Sequence, residues 1–205
     1  MNIQHHVSEE LLISYAAGAL GEAHALAIAT HAALCPLCRE AIADAEALGG
    51  MLFDRLAPEP LPEQGLDDLM RLLDGRDGSM SSGDPPPFPP LDLPIPEPLR
   101  TYLLRGTGLR DGELPWRRLG ADIELLPVRT PDRTATARLL RVAGGGAIPE
   151  HDHTGLELSV VLSGAFTDGD ALFAAGDFAM VDETVTHEPR ATPDEECICL
   201  VVAAR

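Results

Sequence analysis

The stretch His31-Ala32-Ala33-Leu34-Cys35-Pro36-Leu37-Cys38 sets an imidazole and two thiols around a proline. His31 and Cys35 are four positions apart, so on a helix they point the same way. Pro36 cannot continue that helix but suits the first position of the next, which leaves Cys38 in a new first turn. Such a junction brings all three side chains to one tetrahedral ion. A thiolate near a helix N-terminus is favoured by the dipole, so Cys38 is well placed to ligate. Zinc is the redox-silent ion that a mixed nitrogen and sulfur set suits. The rival reading is a Cys-Pro-Leu-Cys redox motif, but that belongs in a βαβ setting and the flanks here are helical. His5 or His6, about a helix earlier, closes the set, and spacing alone does not separate them. His24 is read as an exposed residue outside it.

Working outward, Ser8 caps a first helix through Leu11, Leu12, Tyr15, Ala16 and Leu20, with Glu9 and Glu10 at the positive end of the dipole and Gly18 and Gly21 at its close. An alanine-rich helix is predicted from about Glu22 to Leu34, and a third from Pro36 toward Phe53. After Pro58, Pro60 and Pro62, the segment Glu63 to Leu73 carries Leu66, Leu69, Met70 and Leu73 at helical spacing, an apolar stripe open to a partner. From Asp74 to Pro98 a glycine- and serine-rich run leads into prolines 85–87, 89, 90, 94, 96 and 98, the composition of a part-flexible, part-extended linker. Beyond it come short β-rich runs between glycine turns: Thr134 to Val142, Leu156 to Leu162, Phe178 to Val181 and Cys197 to Val202. They predict an antiparallel barrel or sandwich.

A second cluster lies in those strands. His151, His153 and Glu157 are evenly spaced and share one face of a strand that continues through Gly155. His187, on a later strand, joins them across a barrel. Three histidines and a carboxylate hold zinc, iron, manganese or nickel. Cys197 and Cys199 share a face opposite Ile198; they read first as core, and alternatively as a thiol pair beside the ion that responds to an oxidant. No general base, phosphate-binding glycine loop or nucleophile with a partner accompanies either cluster, so no catalytic residue is assigned.

The chain has 205 residues, more than the roughly 150 of a single ordinary domain. Apolar residues make up 45%, enough for packed cores, but only 4% is aromatic, which argues against a base-stacking platform. With no lysine, 15 arginines against 33 acids and a net charge of -18, direct nucleic-acid binding is excluded and a basic protein partner is favoured. Residues 1–84 hold 4 Arg against 14 acids and the remainder 11 against 19, so neither half is basic. The N-terminus lacks the basic start and apolar core of a signal peptide, and no apolar run nears the ~20 residues that span a bilayer. A cytoplasmic location is expected, where four cysteines serve metal binding or redox work rather than disulfides.

With His6 and the run His31-xxx-Cys35-xx-Cys38, the first segment resembles the zinc-binding anti-sigma domain, and the resemblance selects His6 over His5. Gly145-(x)5-His151-x-His153-(x)3-Glu157-(x)6-Gly164 resembles the first cupin motif, and Gly176-Asp177 followed by His187 the second, without its usual glycine before and asparagine after the histidine. Taken together, nearly the whole chain is similar to the ChrR-type anti-sigma factors. The resemblance implies an all-α zinc-binding helical bundle (1–75), a Pro/Gly-rich linker (76–98) and an all-β cupin barrel with a metal site (99–205). It implies zinc at His6, His31, Cys35 and Cys38, and zinc or another divalent metal at His151, His153, Glu157 and His187. It further implies sequestration of an extracytoplasmic-function (group IV) sigma factor, released under photo-oxidative stress, singlet oxygen in particular, with no turnover and no membrane. The alternative is a cupin metalloenzyme, a dioxygenase or isomerase, with a regulatory zinc module.

Overall fold

The computed structural model describes residues 2–60, 62–74, 93–107 and 114–205. Among the described residues five helices come first. In α1 (Glu9–Ala16) Ser8 Oγ accepts from the Leu11 N–H at 3.4 Å, and Glu9 and Glu10 fill the first turn. Gly18, at φ +65°, turns the chain after it, a conformation open to glycine without strain. Then follow α2 (Glu22–Leu34), α3 (Pro36–Phe53), with Pro36 at its first position, and α4 (Gly65–Asp74). The linker expected through Asp74 to Pro98 falls largely on residues 75–92, outside the described residues. A helix not foreseen in the sequence, α5 (Leu99–Thr107), buries Leu99, Leu103 and Leu104.

Among the described residues the strands form two antiparallel sheets. The larger has the order β1-β2-β3-β9-β4-β7, with β1 (Arg117–Arg118), β2 (Ile123–Val128), β3 (Ala135–Val142), β9 (Cys197–Ala204), β4 (Glu157–Ser163) and β7 (Phe178–Val181). The smaller has β6 (Ala171–Ala174), β5 (Ala165–Asp168) and β8 (Arg190–Ala191) in that order. Helices followed by a cupin-like β-sandwich match the predicted fold class.

The central strand β9 reads as an uninterrupted apolar run because both its faces are buried. Successive side chains alternate. Cys197, Cys199 and Val201 face the inside of the sandwich with Leu140, Val142, Val161 and Phe166. Ile198, Leu200 and Val202 face outward and join Leu139, Leu158 and Val160 in a cluster that continues into the helices through Leu26, Ala27 and Ile28.

Helix α2 therefore lies on the back of the large sheet, packed against β3, β4 and β9. Its alanines allow that close approach: Ala23, Ala27, Ile28 and His31 have no exposed surface. Burying a side chain such as Ile28 contributes about 1.5–3 kcal/mol, more than an exposed ion pair supplies, so apolar contact holds helices to sheet. By contrast α4 buries nothing, and the C-terminal half of α3 exposes Leu48, Met51, Leu52 and Phe53. Among the described residues no single helix is long and apolar enough to cross a membrane, and α2 and α3 bend by 120° at their break.

Candidate metal centres

The first cluster is assembled by the α2–α3 junction. Cys35 ends α2 and precedes α3 in extended conformation (φ -104°, ψ 108°), which turns the chain so that His31, Cys35 and Cys38 converge. His6 reaches them from the segment before Ser8. His31 Nε2 lies 3.2 Å from Cys38 Sγ, and His6 Nδ1 lies 3.3 Å from Cys35 Sγ and 3.7 Å from Cys38 Sγ. All four donor atoms fall within 4.8 Å of one another. A tetrahedral zinc at about 2.0 Å from nitrogen and about 2.3 Å from sulfur sets such donors roughly 3.5 Å apart, so the spacing fits.

His5 is not part of this set. Its ring packs against that of Phe173, tilted by 41° with centroids 4.4 Å apart, and its Nδ1 lies 3.3 Å from Asp177 Oδ2. The choice that spacing left open is made by the Asp177 carboxylate. His31 Nδ1–H donates to the Gly176 carbonyl at 2.9 Å, which leaves Nε2 as the free lone pair facing the thiols. Burial pushes the His31 pKa down to about 4, so the ring is the neutral species a metal needs. Burial pushes the Cys38 thiol up to about 11 against a hydrogen bond from the Val7 N–H; a bound cation has to displace that proton.

The second cluster departs from the expected strand. His151 makes an isolated bridge with His187, and the chain between it and Glu157 is irregular, so β4 begins only at Glu157. The bend at Thr154 and Gly155 breaks the even spacing, and loop geometry, not pleat alternation, gathers the side chains. They still meet. His153 Nε2 is 2.9 Å from His187 Nε2, His153 Nδ1 is 3.6 Å from Glu157 Oε2, and His187 Nε2 is 3.9 Å from Glu157 Oε1. The backbones of His151 and His187 exchange hydrogen bonds of 3.0 and 3.1 Å. His151, His153, Glu157 and His187 thus offer four donors within 4.8 Å.

One partner was missed in the sequence. Asp168, at the end of β5, accepts from His187 Nδ1–H at 2.6 Å and so turns Nε2 toward the other donors. Its signal was its even spacing from Phe166, which puts both on the inner face of β5. Arg138 Nη2 approaches Glu157 Oε2 at 3.8 Å. The cluster opens onto a cavity of about 290 Å³ lined mainly by apolar side chains, Leu125, Ile148, Phe166 and Val181 among them. Cys197 and Cys199 share its wall, their sulfurs 3.6 Å apart. The mutual hydrogen bond and burial push the Cys199 thiol up.

The family described as "ChrR Cupin-like domain" matches residues 106–204. The Anti-sigma-E factor ChrR of Cereibacter sphaeroides is 41% identical over 200 residues, covering 98% of this chain and 89% of that protein. The crystal structure of Rhodobacter sphaeroides SigE in complex with the anti-sigma ChrR superposes with a TM-score of 0.82 at 39% identity, over 98% of this chain and 100% of the matched one.

Proposed function

The chain belongs to the ChrR family of anti-sigma factors, and from that membership we propose that it is a zinc-dependent regulator of transcription that sequesters an extracytoplasmic-function sigma factor in the cytoplasm. The observation that carries the proposal is the extent of the likeness. It covers 98% of this chain, and the matched protein was crystallised with SigE. The helices expose what a partner would cover. Leu66, Leu69, Met70 and Leu73 of α4, with Met51 and Phe53 of α3, stand half or more exposed on a strongly acidic chain, the surface a basic, apolar-grooved protein takes up.

In this reading zinc at His6, His31, Cys35 and Cys38 fixes the angle between α2 and α3. The second cluster, with zinc or another divalent ion, belongs to the sensing half, which answers photo-oxidative stress. Full release requires roughly 10⁴-fold differential binding between states, more than one surface ion pair gives. Loss of metal from the first centre on exposure to singlet oxygen, or proteolysis between α4 and α5, supplies an effect of that size. The deciding experiment is co-expression with the extracytoplasmic-function sigma factor of the same genome. The unmodified chain is expected to co-purify with it and Cys35→Ala and Cys38→Ala are not; no complex with the unmodified chain defeats the proposal.

The cavity beside the second cluster favours one other reading, a cupin dioxygenase or isomerase. Elemental analysis separates the two: stoichiometric zinc at both centres supports a regulator, iron or manganese in the second an enzyme.

A further inference from the structure

We propose that Asp177, a residue of the β-sandwich, is the positioning residue of the N-terminal metal centre and ties that centre to the second one. The inference rests on the reading that both clusters hold an ion. Asp177 is only 2% exposed, and most of its carboxylate's partners belong to the N-terminal segment. Oδ1 accepts the backbone N–H of Gln4 at 2.7 Å and of His5 at 3.0 Å, while Oδ2 accepts from Ala174 at 2.9 Å and lies 3.3 Å from His5 Nδ1. The next residue, Phe178, donates its N–H to the His5 carbonyl at 3.1 Å. Residues 2–7 belong to no helix or strand, so these bonds, together with the Val7 N–H on Cys38, place His6 over the thiols.

The preceding residue acts on the opposite side of the same centre. Gly176 O holds His31 Nδ1–H, and the Phe178 ring stands edge-on to the His31 imidazole at 5.4 Å. Both nitrogen donors of the first centre are therefore held by Gly176, Asp177 and Phe178.

Those three residues lead into β7, which is paired with β4. Gly176 N–H donates to Val161 O at 2.8 Å and Val161 N–H to Asp177 O at 3.0 Å; from there the register runs Val160↔Phe178 to Glu157↔Val181. Glu157 is a donor of the second centre, so four residues of one strand, about 13 Å, separate the two sites. An ion that draws in the Glu157 carboxylate acts on one end of β4, and the other end of β4, through Val161, is bonded to Gly176 and Asp177, which anchor His31 and His5. By linkage, each ion then changes the hold on the other by the same factor.

The test uses the full chain loaded with cobalt(II), whose thiolate charge-transfer band reports the first centre alone because the second has no thiolate. Asp177→Ala is expected to lower the cobalt(II) affinity read from that band in equilibrium competition with a chelator about 10- to 100-fold, and Asp177→Asn, which keeps one acceptor oxygen, by less. Glu157→Gln, which weakens the second ion, is expected to change that affinity about fivefold or more in the unmodified chain and not at all beside Asp177→Ala. An unchanged affinity in Asp177→Ala, or an equal effect of Glu157→Gln on both backgrounds, overturns the proposal. If Asp177→Ala does not fold, the same comparisons are made with Asp177→Asn and decide in the same way. Absence of the thiolate band from the unmodified chain overturns the reading of the first cluster as a metal centre; a normal band with unchanged affinities overturns the role of Asp177 alone.

Discussion

The carboxylate of Asp132, in the turn between β2 and β3, caps α2 from outside, its Oδ2 accepting the Ala23 N–H at 3.2 Å. Gly21, the N-cap residue, has no side chain to do so. Backbone and hydroxyl hydrogen bonds from Thr134, with others from Ala23 and Ala135, outweigh burial and hold the Asp132 pKa at about 2. Asp132→Ala is expected to cost about 1 kcal/mol at neutral pH. Because the folded-state pKa lies below the ordinary carboxylate value, this contribution is fully present above about pH 4 and is lost as pH falls toward 2. Urea melts of both proteins from pH 7 to 2.5 check this; a gap that persists undiminished at the acid end contradicts it.

Gly21→Ala tests the same contact by steric means. The backbone there (φ -61°, ψ 151°) suits alanine, but an added Cβ would stand 2.5 Å from Asp132 Oδ2. Pushing the carboxylate aside is expected to cost about 1 kcal/mol in the unmodified chain. Beside Asp132→Ala the cost falls below about 0.5 kcal/mol, since the obstructing group is gone. A double-mutant cycle in denaturant measures the difference, and additive costs count against the cap.

His5 and His6 differ in what they lose. His6→Ala removes a donor and is expected to weaken cobalt(II) at the thiolate centre at least about tenfold. His5→Ala is expected to change it little, because the bonds to Asp177 that place this segment are made by backbone N–H groups. Chelator competition on both variants reads the contrast, and equal losses contradict it.

This pair also marks what was legible in the sequence. Helix starts at Ser8 and Pro36, the run His31-Cys35-Cys38 and the strand near Cys197 are local patterns of period 3.6 or 2, and the structure keeps them within a few residues. The Gln4–Asp177 bond spans 173 positions and leaves no periodic trace; neither does the Asp168–His187 pair, 19 positions apart. Helix α5 hid behind a Pro-rich approach, its buried Leu99 and Leu103 too few to stand out as a stripe. The even spacing of His151, His153 and Glu157 suggested a strand where Gly155 makes a bend. The four side chains meet by a route other than the expected strand, because a cluster of donor atoms constrains where the side chains end and not the path between them.

Asp168→Asn tests the outer support of the second centre. The variant keeps the shape but loses the charge that orients the His187 ring, and it is expected to lower metal affinity there about 10- to 100-fold. The thiolate centre serves as internal control. Competition against a chelator, followed by elemental analysis of what remains bound, gives the answer; unchanged affinity means that the His187 ring is fixed by its backbone bridge to His151 instead.

Finally, α4 separates capture from stability. It has no buried residue, so Leu69→Asp with Leu73→Asp removes nothing from a core, and the melting transition is expected to stay within about 0.5 kcal/mol of the unmodified chain. Both leucines lie on the apolar stripe proposed to dock the sigma factor. If each is a buried anchor in the complex, at about 2 kcal/mol apiece, affinity falls roughly 10³-fold. Titration of the purified sigma factor against the two proteins measures this directly. Undiminished capture by a normally folded variant moves the docking surface from α4 to the exposed end of α3, where Met51 and Phe53 then become the residues to change.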